Sequence, residues 1–453
     1  MGIFNALQTA VSGLQAQSFA LDNISGNIAN SQTAAYKRTD TSFADLVLGG
    51  DLNFRRQVSG SVQAFSRQTN DVGGVVQPAN SGTSIAVNGQ GFLIVASSLG
   101  DQNGSQDFSG DLYTRRGDFE FDRNGYLVNG AGYYLKGIAV DPVTGNRVGS
   151  TPEPIRLQND SYPATVTSSI NYRANLPTEP QTTNYDAADP NSWLLDGTIT
   201  GDVTADQSTA FMASTIPGDA ITVYDSTGGA HDVQFRWGKT ANGDPTATPP
   251  TEDTWAMFYQ SDTNATGTDT AWTKVGDYSF DAKGALTSPV GGSTTITGMT
   301  LNGANIGNVS VDSGTGLTQY ADSNGTTTTK AISQNGNASG TAQSVEIADG
   351  GKVNVTYSNG KTRTLFEVPV VTFTAENRLA HLDGGAYAQT VASGAPLSGD
   401  ASGAIVGSAI ELSNVDIADE FTKMIVTQQA YSANTRVVST ADDMLQETLS
   451  MIR

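Results

Sequence analysis

Residues 417–452 read IADEFTKMIVTQQAYSANTRVVSTADDMLQETLSMI. The run holds neither proline nor glycine, and fully helical it would be about 54 Å long. A helix well beyond about 25 residues implies a coiled coil or an assembly, because a compact domain rarely covers it. Ala430, Val437, Met444 and Met451 recur at an interval of seven. A seam of side chains follows Ile417, Phe421, Ile425, Gln428, Tyr431, Thr435, Val438, Asp442, Leu445, Leu449 and Ile452. Gln428 and Asp442 interrupt it, which points to packing against several neighbours more than to a simple dimer zipper. Ser413-Asn414-Val415-Asp416 supplies a helix start, and Asp416, Asp419 and Glu420 put acids in the first turns, where the helix dipole favours them.

The other end of the chain carries a matching pattern. Leu7, Leu14, Leu21 and Ile28 recur at seven, within a wider stripe of Ile3, Ala10, Val11 and Ile24. The spacing predicts one helix over residues 3 to about 30. Small residues intervene, and Gly13 and Gly26 each cost about 1 kcal/mol against alanine in a helix interior. Such a helix is marginal alone in water, so it is expected to order only when it finds partners. Small residues also permit close helix approach. Two terminal helices of this kind describe a subunit that polymerises through its ends. After them, Tyr36 reads as an amphipathic anchor and Lys37-Arg38 as a pair making surface ion pairs.

The long middle carries no such period. Asn-Gly pairs stand at Asn88, Asn103, Asn124, Asn129, Asn242, Asn302, Asn324, Asn335 and Asn359, each a hairpin signal. Thr and Val dominate between them, so the middle reads as nearly all β. Residues 40–75 look like a polar, irregular connector. Residues 84–95 read as strand, Asn88-Gly89 turn, strand. Residues 113–121 alternate like one strand, Asp122 to Gly125 turns, and Tyr126-Leu127-Val128 returns. Residues 220–225 and 230–237 read as a hairpin around Ser226 to Gly229, and 280–286 as another turn. Arg116-Gly117-Asp118 mimics an adhesion tripeptide, but lying in a strand it reads as coincidence. Asp122 with Asn124 opens like a calcium loop whose remainder is missing.

Composition excludes several classes. The 453 residues carry a formal charge of −21, which argues against nucleic-acid or anionic-membrane partners, since both need a basic footprint. Cysteine is absent, which removes disulfides and thiol chemistry. Only His231 and His381 supply imidazole, and no paired carboxylates stand out as acid and base. No catalytic residue, cofactor or metal site is expected. The start of the chain shows no basic region followed by an apolar run, so no cleaved secretory signal is expected.

Four blocks carry a resemblance. The first is Leu21-Asp22-Asn23-Ile24-Ser25-Gly26-Asn27-Ile28-Ala29-Asn30 with Tyr36-Lys37-Arg38. The second is Val87-Asn88-Gly89-Gln90-Gly91-Phe92 with Tyr113-Thr114-Arg115-Arg116-Gly117-Asp118-Phe119 and Asn124-Gly125-Tyr126-Leu127. The third is Val223-Tyr224-Asp225-Ser226 with His231. The fourth is Glu411-Leu412-Ser413-Asn414-Val415-Asp416 with Met424-Ile425, Gln428 to Asn434, and Met444-Leu445. Together they resemble the bacterial flagellar hook proteins, within the wider rod and hook axial family. The first, second and fourth blocks are shared with rod proteins. The length, the third block, Leu317-Thr318-Gln319-Tyr320 and Tyr357-Ser358-Asn359-Gly360 favour the hook. Gly26 stands where the family often has a second Asn, and Ala35 where it often has Gly.

The resemblance implies a mainly β chain with α-helical termini. Residues 1–30 and 411–453 would form a coiled-coil-like core, 31–75 a connector, 76–150 and 315–410 an inner β domain, and 151–314 an inserted outer β domain. Polymerisation is expected through Leu7, Val11, Leu14, Leu21, Ile24, Ile28, Ile417, Phe421, Ile425, Tyr431, Val438, Leu445, Leu449 and Ile452. The implied product is a curved extracellular tube, a universal joint passing motor torque to the filament. Its implied partners are further copies of the chain, the rod, the hook cap, the hook–filament junction proteins and the flagellar type III export apparatus, with no nucleic acid and no membrane. A distal rod subunit is the alternative within the family. A β-rich secreted enzyme or adhesin is the alternative outside it.

Overall fold

The computed structural model describes residues 3–47, 59–102, 105–157, 161–244, 246–399 and 403–451. The chain is mainly β, with long helices near both ends: α1 (Ile3–Ala29), a short α2 (Ser208–Ala213) and α3 (Ile417–Met451). It divides into two compact units. One comprises residues 1–160, 342–356 and 362–453; the other comprises 161–341 and 357–361. The second unit runs on past residue 314 because the strand Thr328–Gln334 pairs antiparallel with Ser169–Leu176.

In the first unit, α1 is followed by β1 (Thr39–Val47) and β2 (Ser59–Gln68), which pair antiparallel. Among its described residues, the stretch expected to be an irregular connector is therefore mostly a ribbon. A lone two-stranded ribbon is marginal in water. This one is tied to α1, where the Asn23 side chain donates to Thr41 Oγ1 at 2.8 Å. Short polar side chains along the ribbon hide its two-residue alternation, which is why the sequence reads as irregular.

A second correction concerns β3 (Val76–Pro78), β4 (Ile85–Asn88) and β5 (Phe92–Gln102). The Asn88-Gly89 turn does not fold β4 back on β5. β4 pairs instead with Ala404–Gly407, and β3 with Ala409–Glu411. β5 runs between Leu112–Thr114 and Tyr133–Ala139. It is buried on both faces: Leu93 and Val95 enter one cluster with Phe119, Leu127 and Leu135, while Phe92 and Ile94 enter another with Tyr113, Phe373 and Tyr387. That double burial explains the unbroken apolar run Phe-Leu-Ile-Val. The strand expected over 113–121 is two short ones, Leu112–Thr114 and Phe119–Phe121, with Arg115 to Asp118 between them. The Asp122–Gly125 turn forms as expected, and Phe119–Phe121 pairs with Leu127–Asn129.

The second unit packs two sheets around Tyr172, Phe235, Trp237, Trp255, Met257, Tyr278, Met299 and Val309. Alternation along Asp253–Gln260 sends Trp255, Met257 and Tyr259 into this core, and Ala256 and Phe258 into a smaller cluster under α2 with Phe211 and Trp272. The hairpin read over 220–237 forms, Tyr224 facing Ala230 across its turn. The turn after Phe280 forms too.

Candidate assembly interface

Within the first unit α1 and α3 run antiparallel. Asn27 meets Glu420, and Gly13 lies against Asn434, where an added Cβ would stand 2.8 Å from Asn434 Nδ2. The fully buried line on α1 is Ala10, Gly13, Ala16, Ala20, Ile24 and Asn27; on α3 it is Glu420, Thr427 and Ala441, with Asn434 half-buried between the last two. Those four α3 positions recur at seven. A heptad therefore does face α1, but its residues are small or polar.

Of the described residues expected at the polymerisation interface, only Ile24 is fully buried. Leu7, Leu14, Leu21, Ile28, Val438 and Leu445 are half-buried. Val11, Ile417, Phe421, Ile425, Tyr431 and Leu449 are exposed, at 39–67% of their surface, and so are Val426, Val437, Met444 and Met451. Ile452 lies outside the described residues. Val426 is off the seam that the sequence traced. The result inverts an ordinary amphipathic helix: α3 buries a carboxylate, a hydroxyl and a methyl, and shows most of its large apolar side chains to solvent. They lie along two flanks of the buried line, Ile417, Phe421, Ile425, Tyr431 and Leu449 on one and Val426, Val437, Met444 and Met451 on the other, and exposed apolar strips of this kind mark surfaces that associate.

A polar clamp holds the bases of both helices. Asn27 is buried and fully used: its amide donates to Thr39 O at 3.0 Å and Glu420 Oε2 at 3.0 Å, and its Oδ1 accepts from Thr39 N–H at 2.9 Å and Tyr36 OH at 3.3 Å. Glu420 also takes Lys423 Nζ at 2.6 Å. Asn414 Oδ1 accepts from Arg38 N–H at 2.7 Å, and Asn414 N–H donates to Tyr36 O. Asp416 is the N-cap of α3, its Oδ1 accepting from Ala418 N–H at 2.8 Å and Asp419 N–H at 3.2 Å. Ala35 holds φ +55° and donates its N–H to Glu411 O, a left-handed turn of the kind glycine adopts most easily.

Lys37 corrects the expectation of a surface ion pair. It is buried, and its Nζ stands 2.5 Å from Glu411 Oε1 and 2.8 Å from Val72 O. Glu411 Oε1 also accepts from Gly74 N–H, and Oε2 lies 3.5 Å from Arg115. Arg115 in turn covers the Phe92 ring at 5.4 Å. Burial pushes the Lys37 ammonium below the usual lysine value, with Glu411 opposing. Burial pushes Glu376 up, with Arg115 and Lys37 opposing. The clamp gathers residues from the first, second and fourth sequence blocks.

Groups with the look of chemistry are accounted for locally. His231 Nε2 lies 2.9 Å from Asp225 Oδ2 in the hairpin turn. Asp122 Oδ1 is occupied by the N–H groups of Asn124 and Tyr126. Arg116 and Asp118 pair with each other, at 2.7 and 2.8 Å. Among the described residues no cluster of three His, Asp or Glu is placed to hold a metal, and no helix is long and apolar enough to cross a membrane.

Four family models match the chain: flagella basal body rod protein over residues 7–37, the flagellar hook protein FlgE/F/G D1 domain over 86–171, the flagellar basal body protein FlaE D2 domain over 204–337, and the flagellar basal body rod FlgEFG protein C-terminal over 406–451. The flagellar hook protein FlgE of Salmonella typhimurium is 31% identical, covering 98% of each chain. Those of Escherichia coli and Caulobacter vibrioides are 29% and 28% identical, covering 98% and 100% of this chain. The crystal structure of Helicobacter pylori flagellar hook protein FlgE2 aligns over 74% of this chain at 15% identity and a TM-score of 0.49. The chain belongs to the flagellar hook protein family, a family of structural proteins and not a class of enzymes.

Proposed function

We propose that this hook-family chain is the structural subunit of a flagellar hook, and that it polymerises through its terminal helices into a flexible curved tube. The tube acts as a universal joint, passing motor torque to the filament. The observation that carries this reading is the inversion of α3, whose Phe421, Ile425, Val426, Met444 and Leu449 stand half or more exposed among the described residues. In the polymer, neighbouring copies cover them. The half-buried stripe Leu7, Leu14, Leu21 and Ile28 on α1 offers the complementary heptad for a coiled-coil-like core.

The polar, acidic surfaces of the β units suit wet, exchangeable contacts that slide as the tube bends. The subunit is extracellular, passed through the flagellar type III export apparatus and added beneath the hook cap. It meets the rod at the proximal end and the junction proteins at the distal end. A straight rod subunit would not need a second β unit of this size.

Electron microscopy of the purified full-length chain, alone and seeded with hook fragments, tests the reading. The parent chain forms tubes, and Ile425→Asp, a change at an exposed site, stays a folded monomer. Normal tubes from Ile425→Asp would remove the support that α3 gives.

A further inference from the structure

Nine Asn-Gly pairs punctuate the chain, and eight lie within the described residues. Such a pair deamidates spontaneously when the glycine amide nitrogen is free and the asparagine side chain can swing its Cγ onto it, within about 3–3.5 Å. The structure sorts the eight. In five, the glycine N–H is committed: Gly125 to Asp122 O, Gly243 to Asp253 Oδ1, Gly325 to Asp322 O, Gly336 to Gln334 Oε1 and Gly360 to Tyr357 O. In two, the asparagine is held. Asn129 is buried, and its Oδ1 accepts from the N–H groups of Ala131 and Tyr133. Asn302 Oδ1 accepts from the Thr263 N–H and hydroxyl.

Asn88-Gly89 escapes both restraints. Asn88 is exposed at the end of β4, and neither its side chain nor the Gly89 N–H has a hydrogen-bond partner among the described residues. Gly89 stands at φ +106° with no Cβ to shield its nitrogen.

We propose that Asn88 is a self-modification site. The Gly89 nitrogen attacks Asn88 Cγ, a C–N bond forms, and the Cγ–Nδ2 bond breaks. Nδ2 leaves as ammonia, taking the glycine amide proton, and a five-membered succinimide remains. Water then opens the ring. Attack at Cγ gives aspartate. Attack at the backbone carbonyl carbon gives isoaspartate, whose main chain carries one more methylene. No electron transfer is involved.

The consequence is local and directional. Asn88 faces Ala404 in the ladder between β4 and Ala404–Gly407. Room is scarce there: a Cβ on Gly403 would lie 2.6 Å from Asn88 O. That ladder feeds Ala409–Glu411, the clamp and α3. An extra methylene at Asn88 loosens it and adds a negative charge to an already acidic chain.

Ageing the full-length chain at mildly alkaline pH tests this, read by peptide mapping and by isoaspartyl methyltransferase labelling. The peptide holding Asn88 gains acid and label several-fold faster than those holding the other seven described pairs. Asn88→Gln folds as the parent does and loses the label there. In urea the eight rates converge. An unconverted Asn88, an equally fast pair elsewhere, or an Asn88 lead that persists in urea would overturn the proposal.

Discussion

Asn27 and Glu420, 393 residues apart, share a buried hydrogen bond of 3.0 Å that joins the last turns of α1 to the first turn of α3. Neither side chain has a hydrophobic reason to be there. Both are inside because each fills the other's need and because Lys423, Tyr36 and Thr39 complete the set. The bond fixes which way the helices leave the β unit, and it makes the antiparallel pairing specific where the small residues beyond it are not.

Glu420→Ala should therefore loosen both termini. It leaves the Asn27 amide and Lys423 short of a partner, at a cost of about 1–3 kcal/mol. Hydrogen exchange on the full-length chain should show faster opening of α1 and α3 with the second unit unaffected. Asn27→Ala should do the same, and the two changes should not add.

Glu411→Ala should be worse. It strands Lys37 and Arg115 in the interior without their shared carboxylate, and removing one partner of a buried pair costs about 3–5 kcal/mol. Urea unfolding of the first unit should shift accordingly, and Glu411→Gln should recover part of the loss by restoring an acceptor for Gly74.

Glu376 gives a pH dependence of known sign. Burial raises its folded-state value above 4.5, against Arg115 and Lys37. The folded chain thus holds the proton more tightly than the unfolded chain does. The burden is present above the raised value and is relieved as pH falls through it toward 4.5. Glu376→Gln should stabilise the chain at neutral pH, with the gain shrinking as the pH falls toward 4.5 in parallel melts.

Ala20 is buried in the α1–α3 seam, so Ala20→Leu should overpack it at about 1–3 kcal/mol. Leu449→Asp, at an exposed site, should move the melt by no more than about 0.5 kcal/mol. Both should impair polymerisation, the first through the subunit and the second through its contacts. A melt of each monomer separates the two causes.

Much of this arrangement was legible in the sequence where the signal was local. Both helices followed from their periods, and the 220–237 hairpin from its turn residues. What the sequence hid was set by distant partners. Lys37 looks like a surface charge until Glu411 arrives from 374 residues away. β4 looks like half a hairpin because Ala404–Gly407, which it pairs with, comes much later. The heptads were visible, but their phase was not: large apolar residues suggested the seam, whereas the close pairing within one chain needs Ala16, Ala20 and Gly13. The extremities, expected to find their order only among neighbouring copies, already pack on each other in a single chain through that small-residue seam, leaving the bulky side chains of α3 exposed on either side of it.

Methionine oxidation offers the most direct measurement. Met444 and Met451 are exposed on α3, whereas Met257 and Met299 are fully buried in the second unit. In dilute monomer, peroxide should convert Met444 and Met451 quickly and spare Met257 and Met299. In the assembled tube Met444 and Met451 should become as resistant as the buried pair. Equal oxidation of Met444 and Met451 in monomer and tube would contradict the account, because their side of α3 would then remain uncovered in the polymer.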